Sequence, residues 1–221
     1  MRFFVKALMP LVLLSFSFSV SADDDQLDYL FPSKRVYLGV NLGGGWTEWK
    51  YLVDTTDPED NNTDLATPSN VKEGGPSWGA VFGFTVSKNF AMELQYMQFA
   101  NATIYFGPDN YYYVANGVSS MVSKTRAYSL SGKFLVPVGI KTHLRAFAAV
   151  GAGLVDRDDI INKLSCISPY LSAGLNYAFT QHWNLESGFQ YYTGFGASEL
   201  LPVNDFIPFA WDAYARLAYQ F

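Results

Sequence analysis

Residues 77–99 read SWGAVFGFTVSKNFAMELQYMQF, and apolar side chains alternate there with small or polar ones. Trp78, Phe82 and Val86 fall on one face of the first run, and Gly79 and Gly83 fall on the other. A dipeptide typical of a turn, Lys-Asn, separates this run from a second one with the same period. Alternation of period two predicts strands, and two such runs joined by a short turn predict an antiparallel hairpin.

The same alternation recurs along the rest of the chain and predicts eight strands. They cover residues 36–43, 77–86, 90–96, 127–136, 144–154, 170–179, 183–191 and 209–221. Strands of about 9–11 residues can cross a bilayer at a tilt. The connections alternate between longer ones (53–76, 107–120 and 196–206, with 156–163 of middle length) and short ones (88–89, 137–141, 180–182). Long loops at one end and short turns at the other are typical of outer-membrane barrels.

Two barrel architectures share this pattern. A soluble lipocalin-like barrel keeps its apolar face inside, whereas a membrane barrel turns that face toward lipid. The polar face is rich in Gly, Ser and Asn, and the apolar face is nearly free of charge. Aromatic residues gather at both strand ends, as in membrane-interface girdles: Trp46, Trp49, Trp78, Tyr191 and Phe209 toward the long loops, and Phe90, Phe179, Trp183, Tyr219 and Phe221 toward the short turns. We therefore predict an all-β fold, an eight-stranded antiparallel up-and-down transmembrane β-barrel.

The N-terminus has the layout of a secretory signal peptide. Arg2 and Lys6 precede an apolar run that is too short for a spanning helix, and Val20-Ser21-Ala22 has the small-residue pattern of a cleavage site. We expect a signal peptide at 1–22, a periplasmic segment at 23–34 and the barrel at 35–221. The net charge of −5 gives no support for nucleic-acid binding, and a single cysteine, Cys166, excludes an internal disulfide.

The strand sequences resemble a known family. The stretches RVYLGVNLGGGW, LRAFAAVGAGL, NLESGFQYYT and AYARLAYQF are similar to strands of the outer-membrane protein A transmembrane domain and of opacity-type surface antigens. The ending Leu217-x-Tyr219-x-Phe221 resembles the signal that hands such proteins to the barrel assembly machinery. The resemblance implies a bacterial outer-membrane protein, which we expect to be a monomer. The even number of strands places both termini on the short-turn, periplasmic side. The resemblance also implies contact with membrane lipid and lipopolysaccharide, a structural, adhesive or host-interaction role, and neither a catalytic site nor a cofactor.

Charged residues on the polar face are the candidate site. Strand parity points six of them into the lumen: Glu93, Lys133, Arg145, Glu186, Asp212 and Arg216. Unpaired buried ions are costly, so we expect a salt-bridge network. An eight-stranded lumen is just wide enough for side chains to fill, which favours a plug over a conducting path. A narrow pore or a conduit for small or apolar solutes is the alternative.

Enzyme and metal functions have less support. His143 and His182 flank short turns, and neither has a serine placed for triad chemistry, so a lipid A-modifying enzyme is the least favoured hypothesis. The first long loop carries clustered carboxylates that could bind calcium or bridge to lipopolysaccharide through divalent ions. A solvated acidic loop is the simpler interpretation. These carboxylates belong to Asp54, Asp57, Glu59, Asp60 and Asp64.

Overall fold

The computed structural model describes residues 33–49, 68–108, 114, 117–139, 143–160, 163–195 and 206–221. The strands are β1 (Arg35–Glu48), β2 (Asn70–Lys72), β3 (Gly75–Ser87), β4 (Phe90–Gln98), β5 (Ala102–Tyr105), β6 (Ser120–Pro137), β7 (Leu144–Asp158), β8 (Lys163–Ala178), β9 (Trp183–Tyr192) and β10 (Phe209–Gln220). The expected signal peptide and the five acidic residues of the first loop lie outside the described residues.

All strand pairs are antiparallel, and the sheet closes on itself. The order around the barrel is β1, β3, β4, β6, β7, β8, β9 and β10, and β10 returns to β1 with Val40 opposite Leu217. The predicted eight-stranded up-and-down barrel is therefore confirmed. Closure leaves no sheet edge within the barrel, which matters because hydrocarbon cannot hydrogen-bond to exposed backbone.

Two short strands extend the sheet beyond the barrel at the long-loop end. Lys72 pairs with Thr103 of β5, and β5 in turn pairs with the first residues of β6. The break between β2 and β3 contains Gly74, whose φ of +90° is rarely adopted by other residues. Sequence reasoning placed β2 in the loop at 53–76, so the loop is shorter than predicted.

The barrel wall is uneven in height. Strands β6, β7 and β8 have 18, 15 and 16 residues, whereas β9 and β10 have 10 and 12. The extra residues of β6 pair with β5 and β7 at the long-loop end, so that wall rises above the opposite one.

Apolar side chains cover the outer surface as predicted. Leu42 and Leu130 are more than half exposed, while Asn41 and Ser131 beside them face inward and are buried. The prediction for Trp49 was wrong, because its side chain is fully buried inside the barrel instead of in the outer girdle. Strand parity explains this: Trp46 faces outward, so Trp49, three positions later, faces inward.

The lumen is filled by side chains in successive layers. Nearest the short turns, Leu135, Phe147 and Tyr214 pack together. Midway along the barrel, a larger cluster includes Met97 and Tyr192. At the long-loop end a third cluster closes the interior, made of Trp49, Ala102, Ile104, Phe106, Met121 and Phe206. No helix among the described residues is long and apolar enough to cross a membrane.

Candidate functional site in the barrel lumen

Four buried charged side chains meet inside the barrel. Glu93 projects from β4, Lys133 from β6, Glu186 from β9 and Arg216 from β10, and each residue is at most 2% exposed. All four stand at inward positions of alternating strands, and the outward residues beside them are apolar or small. We call these four residues the lumen ring.

Each cation of the lumen ring contacts both carboxylates. Lys133 Nζ lies 2.8 Å from Glu93 Oε1 and also donates to Glu186 Oε2. Arg216 NH1 lies 2.9 Å from Glu93 Oε1 and 2.9 Å from Glu186 Oε1. Two positive and two negative charges therefore form a closed ring that crosses the lumen, and neither carboxylate depends on a single partner.

Neutral polar groups complete the hydrogen bonding of the two carboxylates. The Tyr37 hydroxyl donates to Glu93 Oε1 at 2.6 Å. The Tyr214 hydroxyl donates to Glu186 Oε1 at 3.0 Å, and Asn176 Nδ2 donates to Glu186 Oε2 at 3.3 Å. Buried ions are tolerated when further hydrogen bonds satisfy their remaining lone pairs, and this arrangement supplies them.

Further contacts hold the side chains of the two cations, Arg216 and Lys133. Arg216 Nε donates to Asn41 Oδ1 at 2.6 Å, and its NH2 donates to Gln95 Oε1 at 2.7 Å. The Lys133 ammonium also lies 4.3 Å from the centre of the Phe147 ring. Charge-assisted hydrogen bonds and a cation–π contact fix both side chains in place.

The other two predicted lumen charges lie apart from the ring. Arg145 donates to Asn176 Oδ1 at 3.0 Å and to the Lys88 carbonyl at 3.1 Å, near the short turns. Asp212 accepts a hydrogen bond from Ser77 Oγ at 2.8 Å, nearer the long loops. The structure thus brings four of the six residues together, links Arg145 to Glu186 through a shared asparagine, and leaves Asp212 at a different level.

A polar layer lies between the lumen ring and the long-loop end, and sequence reasoning gave it no role. Gln95 Nε2 donates to Gln190 Oε1 across the lumen at 2.5 Å. The hydroxyls of Ser129 and Tyr192 lie 3.0 Å apart. Parity alone would place these residues inward, but only the barrel radius shows that they meet.

A buried arginine fixes the long-loop end. Arg157 Nε lies 2.6 Å from Asp159 Oδ2, its NH1 donates to the Phe206 carbonyl at 2.7 Å, and its guanidinium lies 4.8 Å from the centre of the Trp49 ring. These contacts join β7 to the segments that follow β1 and precede β10. The sequence analysis assigned Arg157 to a loop and therefore missed its inward position. The alternation of outward residues continues through Leu154 and Asp156, and it could have predicted that Arg157 points inward.

Little space remains at the short-turn mouth of the lumen. The cavity there measures about 30 Å³ and is lined by residues that include Tyr37, Lys133, Arg145 and Glu186. A volume of this size holds about one water molecule. The lumen ring therefore stands at the inner end of a very small vestibule.

The two histidines have structural contacts. His143 Nδ1 lies 2.9 Å from the Ala178 carbonyl, and His182 Nδ1 lies 2.9 Å from the Gln220 carbonyl. Each ring also stacks on an outward tyrosine, Tyr177 or Tyr219. Within the described ranges, no group of three or more His, Cys, Asp or Glu residues could hold a metal ion.

A closed eight-stranded sheet with an apolar outer surface and a charged, filled lumen defines an outer-membrane β-barrel protein. The family model of the OmpA-like transmembrane domain matches residues 33–221, so the chain belongs to that family. No curated protein matches the chain by sequence.

Three solved structures of bacterial outer-membrane proteins are similar to this chain. OprG from Pseudomonas aeruginosa is 12% identical with a TM-score of 0.51, and the match covers 86% of this chain and 97% of that one. The N-terminal barrel domain of Pseudomonas aeruginosa OprF is 12% identical with a TM-score of 0.49, covering 86% and 98%. Neisserial surface protein A is 12% identical with a TM-score of 0.49, covering 84% and 97%. At 12% identity, the likeness to OprG shows the fold alone.

Proposed function

We propose that this protein is a closed, non-conducting and non-enzymatic barrel that holds its long loops at the bacterial surface for structural, adhesive or host-interaction contacts. The observation that carries the proposal is the lumen ring, in which both cations bridge both carboxylates across the barrel. A lumen closed in this way leaves the long-loop end as the part available for contact, and loops on a rigid scaffold commonly carry function.

We further infer an orientation with the short turns and both termini in the periplasm. The turns at 88–89 and 179–182 are short, and Arg35 and Phe221 both lie at that end, where Arg35 NH1 donates to the Phe221 carbonyl at 3.2 Å. Short periplasmic turns and longer outer loops are the rule for such barrels. The expected signal peptide and C-terminal assembly signal belong to the same proposal.

Conductance in planar bilayers tests closure. The wild-type protein should give no discrete channel events. Arg216→Ala removes the side chain that contacts Glu93, Glu186, Asn41 and Gln95. Combined with Trp49→Ala in the cluster that closes the long-loop end, it should give measurable ones. Lys163→Ala, an exposed cation on the outer wall, is the matched control and should stay silent. Large wild-type conductance would instead favour a narrow pore for small solutes.

Binding of intact cells tests the surface role. Cells that carry the wild-type protein should bind host matrix or serum components better than cells with residues 54–66 deleted. Equal amounts of the compact, unboiled barrel on gels are the control for assembly. Equal binding by both kinds of cell would contradict adhesion through this loop.

A further inference from the structure

Three buried polar side chains occupy neighbouring inward positions at the seam where β10 closes the barrel on β1. Asp212 on β10 lies opposite Gln190 on β9 and opposite Gly45 on β1. Thr47 is the next inward residue of β1 after Gly45. Asp212, Gln190 and Thr47 are all fully buried. We call these three residues the seam site.

Each residue of the seam site has one polar atom that the protein leaves unpaired. Asp212 Oδ1, Gln190 Nε2 and Thr47 Oγ1 have no hydrogen-bond partner in the part of the chain that the structure describes. Asp212 Oδ2, by contrast, accepts a hydrogen bond from Ser77 Oγ at 2.8 Å. Because an unpaired buried polar group is costly, three such atoms at neighbouring positions indicate a common partner between them.

The lumen ring determines which way the Gln190 amide points. Arg216 NH2 donates to Gln95 Oε1 at 2.7 Å. An arginine side chain offers only donors, so Gln95 must turn its oxygen toward Arg216 and its nitrogen toward Gln190. Gln95 Nε2 accordingly donates to Gln190 Oε1 at 2.5 Å, and the Tyr170 hydroxyl lies 3.4 Å from the same oxygen. Gln190 Nε2 is therefore the donor that remains at the end of this chain of hydrogen bonds.

The strand register leaves room for a small bridging molecule at the seam site. Residues directly opposite each other on antiparallel strands have Cβ atoms about 4.5–5.5 Å apart, which places Asp212 beside Gln190. Thr47 is the diagonal neighbour of Asp212 across the β1–β10 pair, at about 7–8 Å. Strand β1 approaches Asp212 closely because Gly45 has no side chain, and a Cβ there would lie 2.3 Å from Asp212 Cβ. One small molecule can therefore reach all three unpaired atoms.

We propose that the seam site binds one ordered water molecule, which accepts a hydrogen bond from Gln190 Nε2 and donates to Asp212 Oδ1 and Thr47 Oγ1. The ligand must both accept from an amide nitrogen and donate to a carboxylate oxygen. A metal cation cannot accept a hydrogen bond, and a halide ion cannot donate one. Buried water molecules typically make about three hydrogen bonds to otherwise unpaired polar groups, and the seam site offers that number.

The water molecule joins the lumen ring to Asp212 through one continuous chain of hydrogen bonds. Arg216 is the donor at one end and the Asp212 carboxylate is the acceptor at the other. Gln95, Gln190 and the water molecule between them all donate in the same direction, and such aligned hydrogen bonds strengthen one another. The chain also connects β4, β9, β10 and β1 through their side chains at the place where the barrel closes.

Magnetisation transfer from water to side-chain amide protons, measured by NMR on the full barrel in nanodiscs, tests the proposal. The Gln190 Nε2 protons should show a cross-peak to water. Gln95 is the matched control and should show none, because it is also buried and its Nε2 donates directly to Gln190. The Gln190 cross-peak should disappear in Asp212→Leu, which has no oxygen to hold the water molecule. An unboiled compact band on gels confirms that this variant is folded.

The stability of variants supplies a second test. Gln190→Leu and Asp212→Leu should each lower the ratio of folded to unfolded protein in urea about tenfold, because each leaves the other group unpaired. The double variant should lose much less than the roughly hundredfold that independent changes would give. Asp212→Leu with Asn184→Leu is the control pair. Asn184 lies at the short-turn end of β9, so the effects of these two changes should multiply.

Three results would overturn the proposal. One is the absence of a water cross-peak at Gln190 in the wild-type protein. Another is a double variant in which the effects of Gln190→Leu and Asp212→Leu multiply. The third is a wild-type urea midpoint that shifts when K⁺ replaces Na⁺ at constant ionic strength and does not shift in Asp212→Leu, which would assign the seam site to a cation. None of these measurements depends on conductance or on surface binding, so failure here is distinguishable from failure of the proposed function.

Discussion

Each residue of the lumen ring depends on the others, because both cations serve both carboxylates. Replacing Lys133 by Met would leave Glu93 and Glu186 to share Arg216 in a buried site. Breaking a buried ion pair by removing one partner costs about 3–5 kcal/mol, whereas removing both can be nearly neutral. We therefore predict that Lys133→Met lowers the free energy of unfolding by that amount. Urea titration of the barrel in lipid vesicles, read from the unboiled gel band, measures it.

A variant with both Glu93 and Lys133 replaced distinguishes the loss of their ion pair from the loss of side-chain packing. Glu93→Gln with Lys133→Met should be more stable than the sum of the two single changes predicts. Lys163→Met is the matched control, and its exposed ion pair with Asp158 at 3.5 Å should contribute at most about 1 kcal/mol. Strictly additive free energies for Glu93 and Lys133 would contradict the contact.

Gly83 on β3 leaves space for the side chain of Tyr37, which contacts the lumen ring from β1. A Cβ on Gly83 would lie 2.1 Å from Cζ of Tyr37, the residue whose hydroxyl donates to Glu93. Gly83→Ala should therefore displace the aromatic ring of Tyr37 and lower the free energy of unfolding by about 1–3 kcal/mol. Gly44→Ala is the control, since its nearest neighbouring atom would be 3.7 Å away. Equal urea midpoints for the two variants would show that the barrel accommodates the methyl group freely.

At the residue scale, the sequence predicted which side chains point into the lumen, but not which of them contact each other. Alternation predicted that Glu93 and Arg216 point inward, since each lies between apolar outward neighbours. Their contact spans the lumen from β4 to β10, which are not adjacent strands. Whether two inward side chains meet depends on the barrel radius and on side-chain length, and neither follows from the period of a strand.

At the scale of elements, the last strand closes the barrel and ends on an exposed ring. Phe221 is 59% exposed, its N–H donates to the Val36 carbonyl at 3.0 Å, and its ring packs edge-on against Tyr219. We predict that Phe221→Asp strongly reduces the compact barrel found in outer membranes, because an apolar lipid-facing end and the proposed assembly signal are both lost. The unboiled gel band in membrane fractions is the measurement.

Refolding of the purified Phe221→Asp protein from urea into detergent shows whether the change affects recognition by the assembly machinery or the stability of the barrel itself. If Phe221 acts through the assembly machinery, the Phe221→Asp protein should still refold in the purified system while failing in cells. Phe221→Tyr keeps an aromatic end and should assemble normally. A normal amount of the compact band for Phe221→Asp in cells would show that the terminal ring is dispensable.

Long alternating strands could be predicted from the sequence, and short interrupted ones could not. Strands β3 and β4 carry period two over 13 and 9 residues. The three residues of β2 are too few to establish a period, and Glu73-Gly74 separates them from β3. Pairing with β5 creates this strand, so it is a consequence of tertiary structure.

At the scale of the whole molecule, the proposed orientation predicts which surfaces a reagent can reach in living cells. In a Cys166→Ser background, Asp57→Cys should react with a membrane-impermeant maleimide on intact cells. Gln181→Cys, in a short turn, should react only after the outer membrane is permeabilised. The opposite pattern would show that the barrel has the inverted orientation, with its long loops in the periplasm.

The two-plus-two composition of the lumen ring also determines how the closed barrel responds to voltage. One elementary charge that crosses the membrane field gains or loses about 2.3 kcal/mol per 100 mV. Glu93, Glu186, Lys133 and Arg216 sum to zero, so a field along the barrel axis exerts no net force on the ring as a unit. Closure should therefore be the same across the range of Donnan potentials that an outer membrane experiences.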